Sequence, residues 1–357
     1  MKNRILFAVV LLGLGLFPCF MGAIVSTYTE KKNLWGQSII TFYSPDCADF
    51  EWDGNGQEFD FSHLSVMVGT GLWIEGKGTN SGHYATPSLL IKNITLKNFN
   101  SWKIKSGTGR INLEFGDNVT FFLGSDEKLT MDWSFVGVKK HAVIHGCGYA
   151  MKLLFDSNKE KVIRIANGAE VEFKEFSNFF IKNTRAGRLP ISLGDDSVVT
   201  FNNLKLSLEG NCYVTAGAVA IVGDVLVQGE ERSFVFCDKA QLIVMPNSSV
   251  MFDKNLFLEY RSSQKNNFVL FDNTSRMFFN DSSLYAWKNG PCFDSGIIVP
   301  TGNVTFSSDS VCEEQGIQYA GVRFEVPAGS VLDLYGCHSY SDNESNNEDS
   351  AADEAVV

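Results

Sequence analysis

The chain has 357 residues and a formal net charge of −11, from 41 acidic and 30 basic side chains. Such a surface repels a phosphate backbone, which excludes nucleic acid as a partner. Hydrophobic residues make up 44% and charged residues only 20%, and with 29 Phe and 32 Gly this mix suits short strands and tight turns better than long solvent-facing helices.

At the N-terminus, Lys2 and Arg4 precede an apolar run from Ile5 to Phe17, which Pro18 breaks before the small residues Gly22, Ala23 and Ser26. The run is shorter than the roughly 20 residues a membrane span needs, so residues 1–23 read as a signal peptide cleaved within 19–26. An uncleaved anchor is the alternative; lipidation of Cys19 is disfavoured because Pro18 stands where a small residue is required. After cleavage no transmembrane segment is expected, and the address is secreted, periplasmic or cell surface. Export permits disulfides. Seven cysteines then remain (Cys47, Cys147, Cys212, Cys237, Cys292, Cys312 and Cys337), an odd count that leaves at least one thiol unpaired. No Cys-x-x-Cys occurs, and neither a metal nor a cofactor motif is present.

Residues 24–61 hold Trp35, Phe42, Tyr43, Phe50 and Trp52 but no repeat, and are expected to form a cap over the first turn of a repetitive region. From residue 62 to 337 one signature recurs: an alternating apolar pair, a small polar turn, then a second alternating pair. Examples are Ile163 and Ile165, Asn167-Gly168-Ala169, Val171 and Phe173; or Leu242 and Val244, Asn247-Ser248-Ser249, Val250 and Phe252. The first residue of the second pair falls at Ile94, Val119, Val171, Val199, Val225, Val250, Met277, Val304 and Leu332, with one double step, so the spacing is about 26. Period-two alternation makes these pairs strands, and Asn, Gly and Asp between them make turns. A second apolar patch after each anchor, such as Phe179 and Ile181 or Leu256 and Leu258, gives three short strands per repeat. Strands this short bury an apolar face only by stacking on the repeats above and below. The expected fold is therefore all-β: a single-stranded right-handed parallel β-helix, or β-solenoid, of about ten turns with rungs roughly 4.8 Å apart. A β-sandwich also shows short strands, but without the longer period. The last residues, 338–357, carry six acids and no Lys or Arg, and read as a disordered acidic tail.

The pattern, and especially Ser88-Leu89-Leu90-Ile91-Lys92-Asn93-Ile94-Thr95-Leu96-Lys97-Asn98-Phe99, resembles the right-handed parallel β-helix proteins of the pectin-lyase-like superfamily. The resemblance implies the architecture and leaves the function open, because the fold hosts lyases, hydrolases, adhesins and phage spikes. Asp195-Asp196 after Gly194 resembles the Gly-Asp-Asp of pectin-hydrolysing members, and His145-Gly146 their His-Gly. Paired carboxylates are what glycoside hydrolysis requires. Here the His-Gly precedes the Asp-Asp by two turns, against the family order, and Asp195 and Asp196 occupy a slot that turn residues fill elsewhere. Cys212 and Cys237, separated by about one repeat, are candidates for a disulfide between neighbouring rungs, or else free buried thiols. The expected function is a secreted or surface-exposed non-enzymatic β-helix that binds a polysaccharide or a surface protein along its side. The alternative is a polysaccharide lyase or glycoside hydrolase of the β-helix type.

Overall fold

The computed structural model describes residues 28–32, 38–42, 50–60, 64–70, 88–99, 102–106, 112–132, 134–156, 162–184, 188–262, 264–287, 289–309, 315–335 and 337–338. The signal segment at 1–23 and the acidic tail beyond His338 lie outside them. The described chain is an all-β parallel solenoid with three faces. Leu89, Leu113, Val136, Ile163 and Ile191 stack on the first face. Ile94, Val119, Ala142, Val171, Val199, Val219 and Leu242 stack on the second. Met151, Phe179, Leu206, Val227, Phe252 and Phe279 stack on the third. Every one of these pairings is parallel, which separates the fold from a sandwich. The one antiparallel pairing among the described strands joins Tyr28–Lys32 to Ser38–Phe42.

The pairings correct the reading of the repeat. From Leu89 to Ser308 the first face closes nine turns, so the average turn is shorter than the spacing of the signature implies. The shortest step takes Val199 to Val219, because a single residue, Gly210, joins the strand ending at Glu209 to the one starting at Asn211. Consequently Val171 and Val199 share a column, whereas Val225, Val250 and Met277 belong to the third face, and Val304 and Leu332 to the first. The signature therefore migrates around the coil. It marks the first corner up to Val199, the second up to Met277 and the third thereafter. The physical reason is that all three corners need the same thing: alternating apolar pairs on either side of a residue that tolerates positive φ. Asn93, Asn118 and Asp196 supply it at the first corner, Asn247 at the second and Gly302 at the third, with φ of 49°, 50°, 56°, 54° and 74°. The start of the coil also moves. Phe50–Asp60, inside the segment read as a cap, pairs in parallel with Ser88–Phe99 along two faces.

Inside, the inward side chains form one continuous apolar core. Phe173 stacks on Phe179 at 4.6 Å and on Phe201 at 6.0 Å, and Phe279 meets Phe252 at 5.3 Å and Phe306 at 4.7 Å. Each fully buried Phe contributes about 2–3 kcal/mol by leaving water. An apolar void of about 20 Å³ lies in this core between Phe121, Leu129 and Phe173. The side chains that line it are all apolar.

Candidate functional site

Strand alternation sends every second residue of the first face outward. On the strands Asn211–Val214, Ser233–Asp238, Phe257–Ser262 and Ser283–Ala286, the inward residues are buried: Cys212, Phe234, Leu258 and Leu284. The outward column runs Tyr213, Val235, Glu259, Tyr285, Ser307, Tyr335. Arg261, two positions beyond Glu259 on the same strand, also points outward. Its guanidinium lies 4.2 Å from the ring centre of Trp287 and 5.9 Å from that of Tyr213, while Arg188 approaches Tyr213 from the other side at 5.6 Å. Glu259 ties the group together. Its Oε2 accepts from Arg261 Nε (3.0 Å), from an Arg261 terminal nitrogen (2.6 Å) and from Trp287 Nε1 (3.0 Å). Burial alone would raise the Glu259 pKa, yet hydrogen bonds from Ser233, Arg261 and Trp287 together hold it below the usual value. It is a charged, fully engaged carboxylate.

Trp287 meets Tyr285 edge-on at 5.6 Å, and the Tyr285 hydroxyl donates to Asp309, which pushes the phenol up to about 12. A shallow groove follows, lined by Phe257, Glu259, Ser283, Tyr285, Thr305 and Ser307. Large rings stay accessible along this surface: Trp287 is 42% exposed, Phe257 43% and Tyr335 60%. Hydrogen bonds to Glu259 and Asp309 hold Trp287 and Tyr285 in place, Arg261 lies over the Trp287 ring, and the open faces between hydroxyl and carboxylate groups can receive a flat, amphipathic ligand.

The residues singled out from sequence fare differently. Asp195 and Asp196 form the turn before the strand Val198–Glu209, at the opening corner of the second face. His145 ends the strand His141–His145 two rungs earlier, at the far corner of that face. Rung spacing and strand rise put them roughly 20 Å apart, beyond the separation an acid/base pair needs. The structure does not bring them together, and the positive φ of Asp196 supports the turn role. The His145 ring lies against Phe122 at 5.3 Å, and it contacts Cys147 and Glu175.

The Cys212–Cys237 bridge is not formed; both are free thiols. The register explains why. Cys212 pairs with Phe234 and points into the core, where burial pushes its thiol up, whereas Cys237 pairs with Arg261 and is part-exposed on the outer side. The turn that begins at Cys212 closes before the chain reaches Cys237, and turn length decides which side chains become neighbours. Among the described residues no group of three His, Cys, Asp or Glu could hold a metal ion, and no helix is long and apolar enough to cross a membrane.

The group around Arg261 escaped the sequence reading. Its members come from separate turns, and Trp287 stands just past its strand, so no contiguous motif contains them. Only the true register could have found them. Compared with family models, curated proteins and solved structures, the chain matches none.

Proposed function

We propose that this chain is an exported, non-enzymatic β-solenoid that binds a polysaccharide along the outer side of its first face, between Tyr213 and Tyr335. The observation that carries the reading is the exposed, pre-positioned aromatic series with Arg261 locked between Glu259 and the ring of Trp287. Sugar rings carry apolar C–H faces and hydroxyl edges. The first stack on aromatic faces, and the second pair with groups such as Ser307, Thr305 and Asp309. The basic n-region and short apolar run at 2–17 support export to the cell surface or beyond. The alternation in 88–99 supports a right-handed coil of the pectin-lyase-like kind.

A binding reading is favoured over a lyase or hydrolase because Glu259, the best-held carboxylate of the face, is consumed by Arg261 and Trp287. The test is a glycan array together with a polysaccharide-degradation assay on the mature protein and on Trp287→Ala. Binding that falls at least about tenfold in the variant supports the proposal. Release of shortened or unsaturated products would replace binding with catalysis, and retention of wild-type binding by Trp287→Ala would move the site elsewhere.

A further inference from the structure

At the corner joining the second face to the third, the chain runs His145-Gly146-Cys147-Gly148-Tyr149. The backbone N–H of Cys147 donates to His145 Nδ1 at 3.0 Å. Nδ1 is therefore the unprotonated nitrogen, and Nε2 carries the hydrogen. Nε2 lies 3.3 Å from Glu175 Oε2, on the next rung, and Cys147 Sγ lies 3.2 Å from Nδ1. Phe122 on the rung before packs against the imidazole. Thiol, imidazole and carboxylate thus stand in series, with the imidazole in the tautomer that can accept the thiol proton.

A second observation is independent of these distances. Most non-glycine residues at positive φ in the described chain are Asn or Asp, as corner geometry favours. Cys147 and Glu175 adopt it too, at 52° and 53°, on successive rungs. Glu231 and Lys254 adopt it at other corners, so the conformation is a corner requirement; here it sets Cys147 and Glu175 about His145 from two successive rungs. Gly146 belongs to the same device: an added Cβ would lie 2.7 Å from the Phe176 ring and 2.8 Å from the Glu175 carbonyl oxygen, so a larger residue would lift the corner off Glu175.

The geometry points to Cys147 as a reactive thiol that exchanges with small organic disulfides, neutral or cationic, with His145 as base and Glu175 as its positioning residue. The Cys147 N–H gives up the one lone pair of His145 Nδ1 that it holds at rest, the Cys147 Sγ–H bond breaks, and its proton passes to Nδ1. The thiolate attacks one sulfur of the disulfide, a protein–substrate disulfide forms, and the substrate S–S bond breaks. The departing thiolate takes the proton from His145, so one disulfide is exchanged for one thiol without net oxidation. Partial burial, and then the charge of Glu175, push the Cys147 thiol above its ordinary value, against a backbone hydrogen bond from Leu123. The resting thiol is therefore protonated, and its reactivity depends on His145. The charged groups at this corner are Glu175 and Lys174, whose Nζ lies 3.7 Å from Glu175 Oε1.

The experiment follows thiopyridone release from 4,4′-dithiodipyridine on the full chain, native and urea-unfolded. Native protein shows a fast phase of one equivalent that Cys147→Ser removes. His145→Gln slows it by at least about tenfold, as loss of a general base requires. Glu175→Gln slows it less, roughly threefold, and Glu175→Asp restores it. In urea the histidine and glutamate variants match the wild type, which separates the effect from altered thiol content. Cystamine reacts faster than oxidised glutathione, and Glu175→Gln narrows that gap. A fast phase that persists in Cys147→Ser, or a native His145→Gln rate within about twofold of wild type, overturns the assignment.

Discussion

The early and late halves of the coil share an interior and differ outside. On the first face up to Ser192, the outward column is Leu90, Glu114, Gly137, Arg164 and Ser192, and the Arg164 guanidinium lies 3.9 Å from the Phe135 ring centre. Beyond it the neighbouring outward column, in register with Pro190, carries Tyr213, the covered Val235, Glu259, Tyr285, Ser307 and Tyr335, flanked by Arg261 and Trp287. Inward positions hold the same apolar set in both halves: Leu113, Ile163 and Leu189 early, and Phe236, Leu258 and Leu284 late. Stacking constrains the inside of every rung alike, whereas water constrains the outside hardly at all. The outward composition thus changes between the halves while the inward composition does not.

The largest expected effect tests the shared interior. Phe179→Ala in the early half and Phe252→Ala in the late half each destabilise the protein by about 3–5 kcal/mol, because both rings are fully buried against other rings. Denaturant titration of the two variants should give losses of similar size. A loss in only one half would mean that the halves do not form one cooperative core.

The interior was also what the sequence made legible. Alternating pairs such as Val171 and Phe173 around Asn-Gly corners announced short stacked strands, and most such pairs are buried inward; Val269 and Phe271 are the exception in the coil, where Phe268 and Leu270 turn in and Phe271 is left exposed. What stayed hidden was the phase of the coil. Gly210 shortens one connection to a single residue, and since every corner has the same chemistry, no residue marks the change from one corner to the next. A ruler laid along Val199 and Val225 therefore crosses from the second face to the third without warning. The bridge expected between Cys212 and Cys237 fails for the same reason, and mapping after alkylation under non-reducing conditions should recover both as free thiols. Recovery of a 212–237 disulfide would show that the register between those rungs is wrong. The cluster around Arg261 was invisible because Tyr213, Arg261 and Trp287 meet only through that register.

Next in size is the polar group of the late face. Glu259 has a folded-state pKa below its unfolded one, near 4.5, so its contribution is complete above that value and is lost as pH falls through the folded value. Wild type should therefore exceed Glu259→Gln in stability at neutral pH, by about 1–2 kcal/mol for a part-buried charged hydrogen-bond acceptor, and the gap should close towards pH 3. Parallel urea titrations at pH 7 and pH 3 measure it. On the early face, Glu114→Gln removes an ion pair in which Lys139 is half exposed, and should cost well under about 1 kcal/mol. Equal losses from the two substitutions would erase the distinction between the faces.

The smallest effect is the most local. The Tyr285 phenol is held up to about 12, chiefly by its hydrogen bond to Asp309. For an acid whose folded pKa is raised, the favourable term is complete below the unfolded value near 10 and disappears as pH rises through 12. Because the pair is exposed, its effect on stability is slight, and the readout is absorbance at 295 nm during alkaline titration. Asp309→Asn keeps an acceptor but removes the charge, so one tyrosine should move from about 12 towards 10. Tyr260 also sits near 12, but burial is its main cause, so it should not respond to Asp309. Glu114→Gln on the early face should leave the whole curve unchanged. If Asp309→Asn also leaves it unchanged, the late face is not the pre-positioned surface that ligand binding requires, because Tyr285 would then hang free of the hydrogen bond that fixes its ring beside Trp287.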